Sequence, residues 1–328
     1  MSDSNLMVFA LESGRAYGEA VCRGLGVPLA AHEEREFEDG EHKARALGSV
    51  RGSDVFVVQS LYGDADLSVD DKLVRLLLFV GALRDASAAR VTVVAPYLAY
   101  SRKDQKSKLR DPVTTRYVAT FFEAAGADCM VTMDVHNLAA YQNAYRCRTE
   151  HLEAAGLFVR HLLPQLAAAD VAVVSPDAGG IKRADAFRQR LARALARPID
   201  MAFAEKYRSG GELRGEALVG DVDGKVAIIV DDLISAGNTI ARAARACRDG
   251  GAARVVACAS HGVFASEANA VLADAAIDEI LVTDSIPPWR ITDARVAAMI
   301  RRVGTAPFVA EAIRRLHAGA SLAEFTES

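Results

Sequence analysis

Apolar residues fall along this chain in two patterns. One is a short unbroken block rich in valine, isoleucine and alanine. It recurs at Val55–Val58, Val91–Ala95, Met130–Met133, Val171–Val174, Val226–Val230, Val255–Cys258 and Ile280–Val282. Blocks of that length without polar alternation predict strands covered on both faces. The other pattern spaces apolar residues at i, i+3 and i+4, as in Leu73, Leu76, Leu77, Val80 and Leu83, and predicts helices there and over Val113–Ala125, Arg183–Ala194 and Thr239–Arg248. Strands alternating with helices predict βαβ units and an α/β fold with parallel sheets.

The blocks also repeat. Leu83-Arg84-Asp85-Ala86-Ser87-Ala88-Ala89-Arg90-Val91 matches Cys247-Arg248-Asp249-Gly250-Gly251-Ala252-Ala253-Arg254-Val255 at a constant offset of 164 residues. Asp128–Asp134 echoes Asp278–Asp284 at an offset of 150. Matches in the same order at equivalent junctions predict two similar doubly wound domains, residues 1–155 and 156–305. A last helix, Ala306–Leu316, and the tail to residue 328 fall outside the repeat.

The richest stretch is Val226–Thr239, VAIIVDDLISAGNT. A buried strand is followed by Asp231 and Asp232, then by the small-residue loop Ser235-Ala236-Gly237-Asn238-Thr239 opening a helix. In open parallel sheets, ligands sit beyond the carboxyl ends of strands. Two carboxylates there can accept from sugar hydroxyls, and the N–H groups of a helix start can hold a phosphate. The combination predicts a ribose-phosphate site. The first-half counterpart, Val55–Val58, leads into Gln59-Ser60-Leu61-Tyr62-Gly63, so only the second half carries it.

Composition narrows the class. The 328 residues are 51% hydrophobic and 25% charged, with a net charge of −4, which fits a globular protein with no global pull toward nucleic acid or anionic membrane. Five scattered cysteines without a Cys-x-x-Cys pair predict a reducing compartment and no structural zinc. The start lacks a basic segment followed by a long apolar core, and the run at Leu73–Leu83 is interrupted by Arg75 and too short to span a bilayer, so a cytoplasmic location is expected. Neither a Walker A sequence nor a Gly-x-Gly-x-x-Gly after a strand occurs.

Several further stretches carry a resemblance. They are Phe37-Glu38-Asp39-Gly40-Glu41, Ser49-Val50-Arg51-Gly52, Pro96-Tyr97-Leu98-Ala99-Tyr100-Ser101-Arg102-Lys103-Asp104, Met133-Asp134-Val135-His136, Val174-Ser175-Pro176-Asp177-Ala178-Gly179-Gly180, Ser260-His261-Gly262-Val263-Phe264 and Ala312–His317. With Val226–Thr239 they make the chain, from about Phe37 to Phe325, resemble the ribose-phosphate diphosphokinase (phosphoribosyl-pyrophosphate synthetase) family. A transferase acting on a base would share only the ribose-phosphate stretch.

The resemblance implies two domains of phosphoribosyltransferase type, the substrates ATP and ribose 5-phosphate, and Mg2+. It implies ATP contacts from Phe37, Asp39, Glu41, Arg102, Lys103 and His136, the first three reaching a neighbouring subunit of a homo-oligomer built from dimers into a hexamer. Metal contacts fall to His136 and Asp177. Ribose 5-phosphate contacts fall to Asp231, Asp232 and Ser235 through Thr239. A catalytic loop would carry Lys206 and Arg208, beside Gly210, Gly211 and Gly215. Two positions depart from the family pattern inside the phosphate loop: Ala236 stands for a threonine and Asn238 for a glycine. Asparagine tolerates positive φ, so the loop is expected to form, and the lost hydroxyl predicts a raised Michaelis constant for ribose 5-phosphate. The competing reading is a non-catalytic regulatory partner subunit, which should have lost the Lys-x-Arg or metal residues.

Overall fold

The computed structural model describes residues 5–209, 212–265, 267–323 and 325. The chain forms two compact units, residues 1–153 with 305–328, and residues 154–304. Each is built on a sheet whose central strands are buried on both faces. That is why β4 (Asp54–Val58), β6 (Cys129–Met133), β8 (Val171–Ser175) and β13 (Glu279–Thr283) read as continuous apolar blocks.

In the first unit, β1 (Leu6–Phe9), β4, β5 (Arg90–Ala95), β6 and β7 (Arg148–Leu152) lie side by side in that order, all parallel. The connections are helical. Helix α1 (Arg15–Leu25) follows β1, α2 (Val69–Asp85) joins β4 to β5, α3 (Thr114–Ala125) joins β5 to β6, and α4 (Leu138–Ala144) joins β6 to β7. Helix α2 starts where Ser68 and Asp71 satisfy each other's backbone N–H groups in a capping box. Strands β2 (His32–Glu36) and β3 (His42–Ala46) pair antiparallel as a separate ribbon. Their charged sequences gave no apolar block, and the ribbon is tied down by Glu34, which binds His32 Nε2 at 2.8 Å and His42 Nε2 at 3.0 Å.

The second unit holds seven strands in the order β10 (Glu212–Val219), β9 (Asp200–Ser209), β8, β11 (Val226–Ile234), β12 (Arg254–Gly262), β13 and β14 (Ile300–Val303). All neighbours are parallel except the antiparallel β9–β10 hairpin. Helix α5 (Ala155–Leu166) opens the unit, α6 (Ile181–Leu195) leads from β8 outward to β9, and α7 (Asn238–Asp249) leads from β11 the other way to β12. The sheet therefore reverses its winding between β8 and β11.

The repeat is visible in both units. Strands β1-β4-β5-β6-β7 and β8-β11-β12-β13-β14 share one order, with a hairpin inserted after the first strand of each. Arg84 pairs with Asp128 at 2.9 Å while Asp128 accepts from Val91 N; Arg248 pairs with Asp278, which accepts from Val255 N. The Arg-Asp-…-Arg-Val echo in the sequence is thus one ion-paired junction built twice.

Helix α10 (Ala306–Ala318) packs in the first unit. Tyr17 OH meets Thr305 Oγ1 at 2.7 Å, Arg314 donates to Gly24 O, and His317 Nδ1 meets Asp54 Oδ2 at 2.7 Å. The five cysteines are unpaired. No helix among the described residues is long and apolar enough to cross a membrane.

Candidate active site

The second unit presents its chemistry where the sheet reverses, the position at which open α/β sheets bind ligands. Strand β11 differs from the sequence expectation. It continues past Val230 to Ile234, because β12 stays paired with it through Leu233↔His261 and Ile234↔Gly262. Asp231 and Asp232 therefore stand within the last part of the strand and not after it. Burial of Val226 through Val230 anchors them, with each fully buried isoleucine (Ile228, Ile229) contributing roughly 1.5–3 kcal/mol.

Asp232 is buried and Asp231 half-buried. Asp231 Oδ1 accepts from the Asp232 backbone N–H at 2.8 Å. Arg183, on the first turn of α6, reaches Asp231 at 3.0 Å and Asp232 at 3.2 Å. Burial, followed by the hydrogen bond and charge of Asp232, pushes the Asp231 carboxyl up to about 7, against the pull of Arg183. Two adjacent carboxylates thus share the Arg183 guanidinium. Arg183 is the residue sequence reasoning missed. Its only signal was its place just after the Gly-Gly that follows β8, and charges on helices are usually solvated.

The loop after β11 departs from expectation at one point. Helix α7 begins at Asn238, which is helical. The left-handed backbone falls on Gly237, at φ 86°, so the tolerance of asparagine for positive φ is not called upon. Gly237 occupies the N-cap and supplies no side-chain acceptor to the first-turn amides. A helix start capped by glycine leaves those donors to water or an anion. Ser235, Ala236 and Thr239 are half-buried or exposed around it, as is Asn238.

Asp177 follows β8 and caps a short 3-10 turn, Ala178–Gly180, accepting from Gly180 N at 3.0 Å. Lys206 and Arg208 do not lie in a loop in this structure. Their backbone runs in β9, opposite Glu216 and Leu213 of β10. A polar, glycine-rich sequence hid the hairpin. Residues 210 and 211 of the expected loop lie outside the described residues.

In the first unit, Phe37, Asp39 and Glu41 form the tip of the β2–β3 ribbon. Phe37 N donates to Glu41 O at 2.8 Å, and Glu41 N donates to Asp39 Oδ1 at 3.1 Å, which fixes the turn and leaves the other Asp39 oxygen available. The Phe37 ring is exposed, with the Arg35 guanidinium 4.9 Å from its centroid. Arg102 follows β5, and its neighbour Lys103 is held at 2.5 Å by Asp111, whose carboxylate also accepts from Ser107 N and Lys108 N. His136 is exposed just before α4, and its neighbour Asn137 caps that helix and donates to Asp104.

Magnesium usually takes one or two carboxylates and fills its octahedron with water and substrate phosphate. No group of three or more His, Cys, Asp and Glu among the described residues forms a metal cage. One strand-end carboxylate, Asp177, fits a magnesium that brings its other ligands with it.

Comparison with known proteins agrees along the whole chain. Residues 6–126 match the N-terminal domain of ribose phosphate pyrophosphokinase, and residues 213–326 the phosphoribosyl synthetase-associated domain. A ribose-phosphate pyrophosphokinase of Caldanaerobacter subterraneus is 36% identical over 98% of this chain and 98% of its own. Ribose-phosphate pyrophosphokinase 1 of Streptococcus agalactiae is 36% identical over 97% of this chain and 95% of its own. The crystal structure of phosphoribosylpyrophosphate synthetase from Mycobacterium smegmatis superposes with a TM-score of 0.85 at 33% identity, covering 97% of this chain and 100% of that one.

Proposed function

The chain belongs to the ribose-phosphate pyrophosphokinase family of diphosphotransferases, and from that premise we propose that it transfers the β,γ-diphosphate of Mg-ATP to the C1 hydroxyl of ribose 5-phosphate, giving phosphoribosyl pyrophosphate and AMP. The observation that carries this reading is local to the second unit: two carboxylates braced by Arg183 at the end of β11, and a glycine-capped helix start just beyond them.

Asp231 and Asp232 accept from the ribose hydroxyls, and Ser235 through Thr239 hold the 5-phosphate. With both ends of the sugar fixed, the C1 hydroxyl is presented to the β-phosphorus for in-line displacement, with AMP as leaving group. Such transfers depend on positioning and charge neutralisation more than on covalent help. Lys206 and Arg208, carried on the β9–β10 hairpin, neutralise charge on the transferred group. Phe37, Asp39, Glu41, Arg102, Lys103 and His136 serve ATP. An exposed phenylalanine at the tip of a separate ribbon suits a base in a neighbouring copy, which makes a homo-oligomer of dimers, assembling to a hexamer, the working form. In the second unit Asp177 would hold magnesium, and the ion would supply charge neutralisation on the triphosphate when bound; in the first unit His136 would meet a metal only through water or phosphate. We place the enzyme in the cytoplasm, a reducing compartment that suits its five free cysteines.

Purified protein given Mg-ATP and ribose 5-phosphate should release AMP and phosphoribosyl pyrophosphate in equal amounts. Turnover that appears only when a second subunit is added would replace this reading with that of a regulatory partner.

A further inference from the structure

The loop Ser235–Thr239 does not hold its own position. The two carbonyls that open it, those of Ile234 and Ser235, accept from Phe264 N at 2.9 Å and Ala265 N at 3.0 Å. Both donors belong to the turn after β12, so the phosphate loop hangs from a neighbouring segment.

That turn is sharp and strained. Val263 N donates back to His261 O at 3.1 Å, and Phe264 adopts φ 45°. A bulky residue in the left-handed region is an outlier that persists only when its surroundings over-determine it. Here they do. Phe264 is 1% exposed and shares one buried cluster with Ile234 and Ile240, which flank the loop, and with Leu272 of α8 (Ala268–Ala273). The ring lies over Gly262, where a Cβ would come within 2.4 Å of it. The strand end beneath is fixed by His261 Nδ1 on Ser285 Oγ at 2.8 Å, and Arg290 donates to Val263 O at 3.1 Å. Burial of the ring therefore sets the backbone of residue 264, and that backbone sets where the phosphate loop begins.

We propose that Phe264 is a positioning residue for the phosphate loop, its buried ring holding a left-handed backbone whose N–H fixes Ile234 and thereby orders Ser235–Thr239 for the 5-phosphate. The inference rests on the ribose 5-phosphate reading of that loop. It assigns a role to a residue that touches no substrate and acts only through Ile234 and the loop.

The test uses Phe264→Ala, Phe264→Gly and Phe264→Leu in the full chain. Alanine loses the ring and resists positive φ, glycine loses the ring but accepts positive φ, and leucine keeps most of the buried volume. The Michaelis constant for ribose 5-phosphate should rise about tenfold in the alanine variant and about threefold in the glycine variant, the scale of one backbone hydrogen bond, with that for ATP unchanged in both. Leucine should stay within about twofold of wild type. A residue that only fills the core would show glycine as damaging as alanine, or worse, and that order would overturn the proposal. So would a leucine variant as impaired as alanine. Amide exchange of residues 235–239 gives a readout independent of turnover: it should quicken most in the alanine variant. Wild-type protein without turnover would remove the ribose 5-phosphate reading, while equal exchange in all four proteins would remove the positioning role.

Discussion

Replacing Asp231 by asparagine should stabilise this protein while disabling it. Burial, with the hydrogen bond and charge of Asp232, pushes the Asp231 carboxyl up to about 7 in the folded chain, against an ordinary value of 3.8. Between those values the folded state binds more protons than the unfolded state, so this group's contribution to stability is complete below about pH 4 and falls as the pH rises through 7. The side chain keeps only 18% of its exposure, so solvent screening removes little of the effect. A difference of about three pK units at ~1.36 kcal/mol each sets the full penalty, reached above pH 7, on the order of 4 kcal/mol. The amide that Asp231→Asn introduces would keep an oxygen for the Asp232 N–H and leave Arg183 to the Asp232 carboxylate. At roughly 2–4 °C per kcal/mol for a unit of this size, Asp231→Asn should melt roughly 10 °C above wild type at pH 8. At pH 5, still above the unfolded value, the difference should shrink to roughly 4 °C, since about 1.6 kcal/mol of the penalty remains there. Scanning calorimetry of both proteins at the two pH values, in EDTA and without phosphate, measures this. In the same variant kcat/KM for ribose 5-phosphate should fall by about 100-fold, the loss of charge-assisted bonds to hydroxyls. An asparagine variant less stable than wild type at pH 8, or stabilised equally at both pH values, would refute the reasoning.

Three further outcomes follow from the second unit. Ala236→Thr should restore a hydroxyl to the phosphate loop and lower the Michaelis constant for ribose 5-phosphate about fivefold, roughly 1 kcal/mol; an unchanged constant would show that position 236 does not face the phosphate. Gly237→Ala should strain a residue at φ 86° by ~1–2 kcal/mol and press a Cβ to 3.0 Å from Leu272 Cδ2, lowering the melting temperature and weakening ribose 5-phosphate but not ATP; wild-type behaviour would mean that the left-handed turn is dispensable. Lys206→Ala should lower kcat by about 100-fold or more with modest changes in either Michaelis constant, and undiminished turnover would remove the β9–β10 hairpin from the chemistry.

What the sequence revealed follows from which strands are buried. Val55–Val58, Val171–Val174 and Ile280–Val282 lie in the sheet interior, where both faces need apolar cover, so each could be read directly. Edge strands have no such need. Arg148–Leu152 and Ile300–Val303 end their sheets with charged residues among their positions and leave no block. The β2–β3 ribbon is held by a carboxylate between two imidazoles, an arrangement only three-dimensional pairing reveals. In β11 the acidic pair looked like a strand end, yet backbone pairing with β12 continues regardless of side-chain charge. The carboxylates and the small-residue loop were legible because sugar and phosphate binding demand those residue types in that order. Arg183 was not, because it reaches Asp231 from 48 positions away in sequence.

The return of the chain to its first unit also bears on how the protein is made. Asp54 and Arg90 lie at the starts of β4 and β5, and their partners His317 and the Leu316 carbonyl belong to α10. A ribosome adding about 5–20 residues per second needs roughly 8–30 s to produce the intervening second unit. Through that interval the first sheet stands without its closing helix, with the face of α1 around Gly24 uncovered. The order of synthesis therefore makes the first unit complete its packing last, and the second unit, continuous in sequence, is free to fold before it.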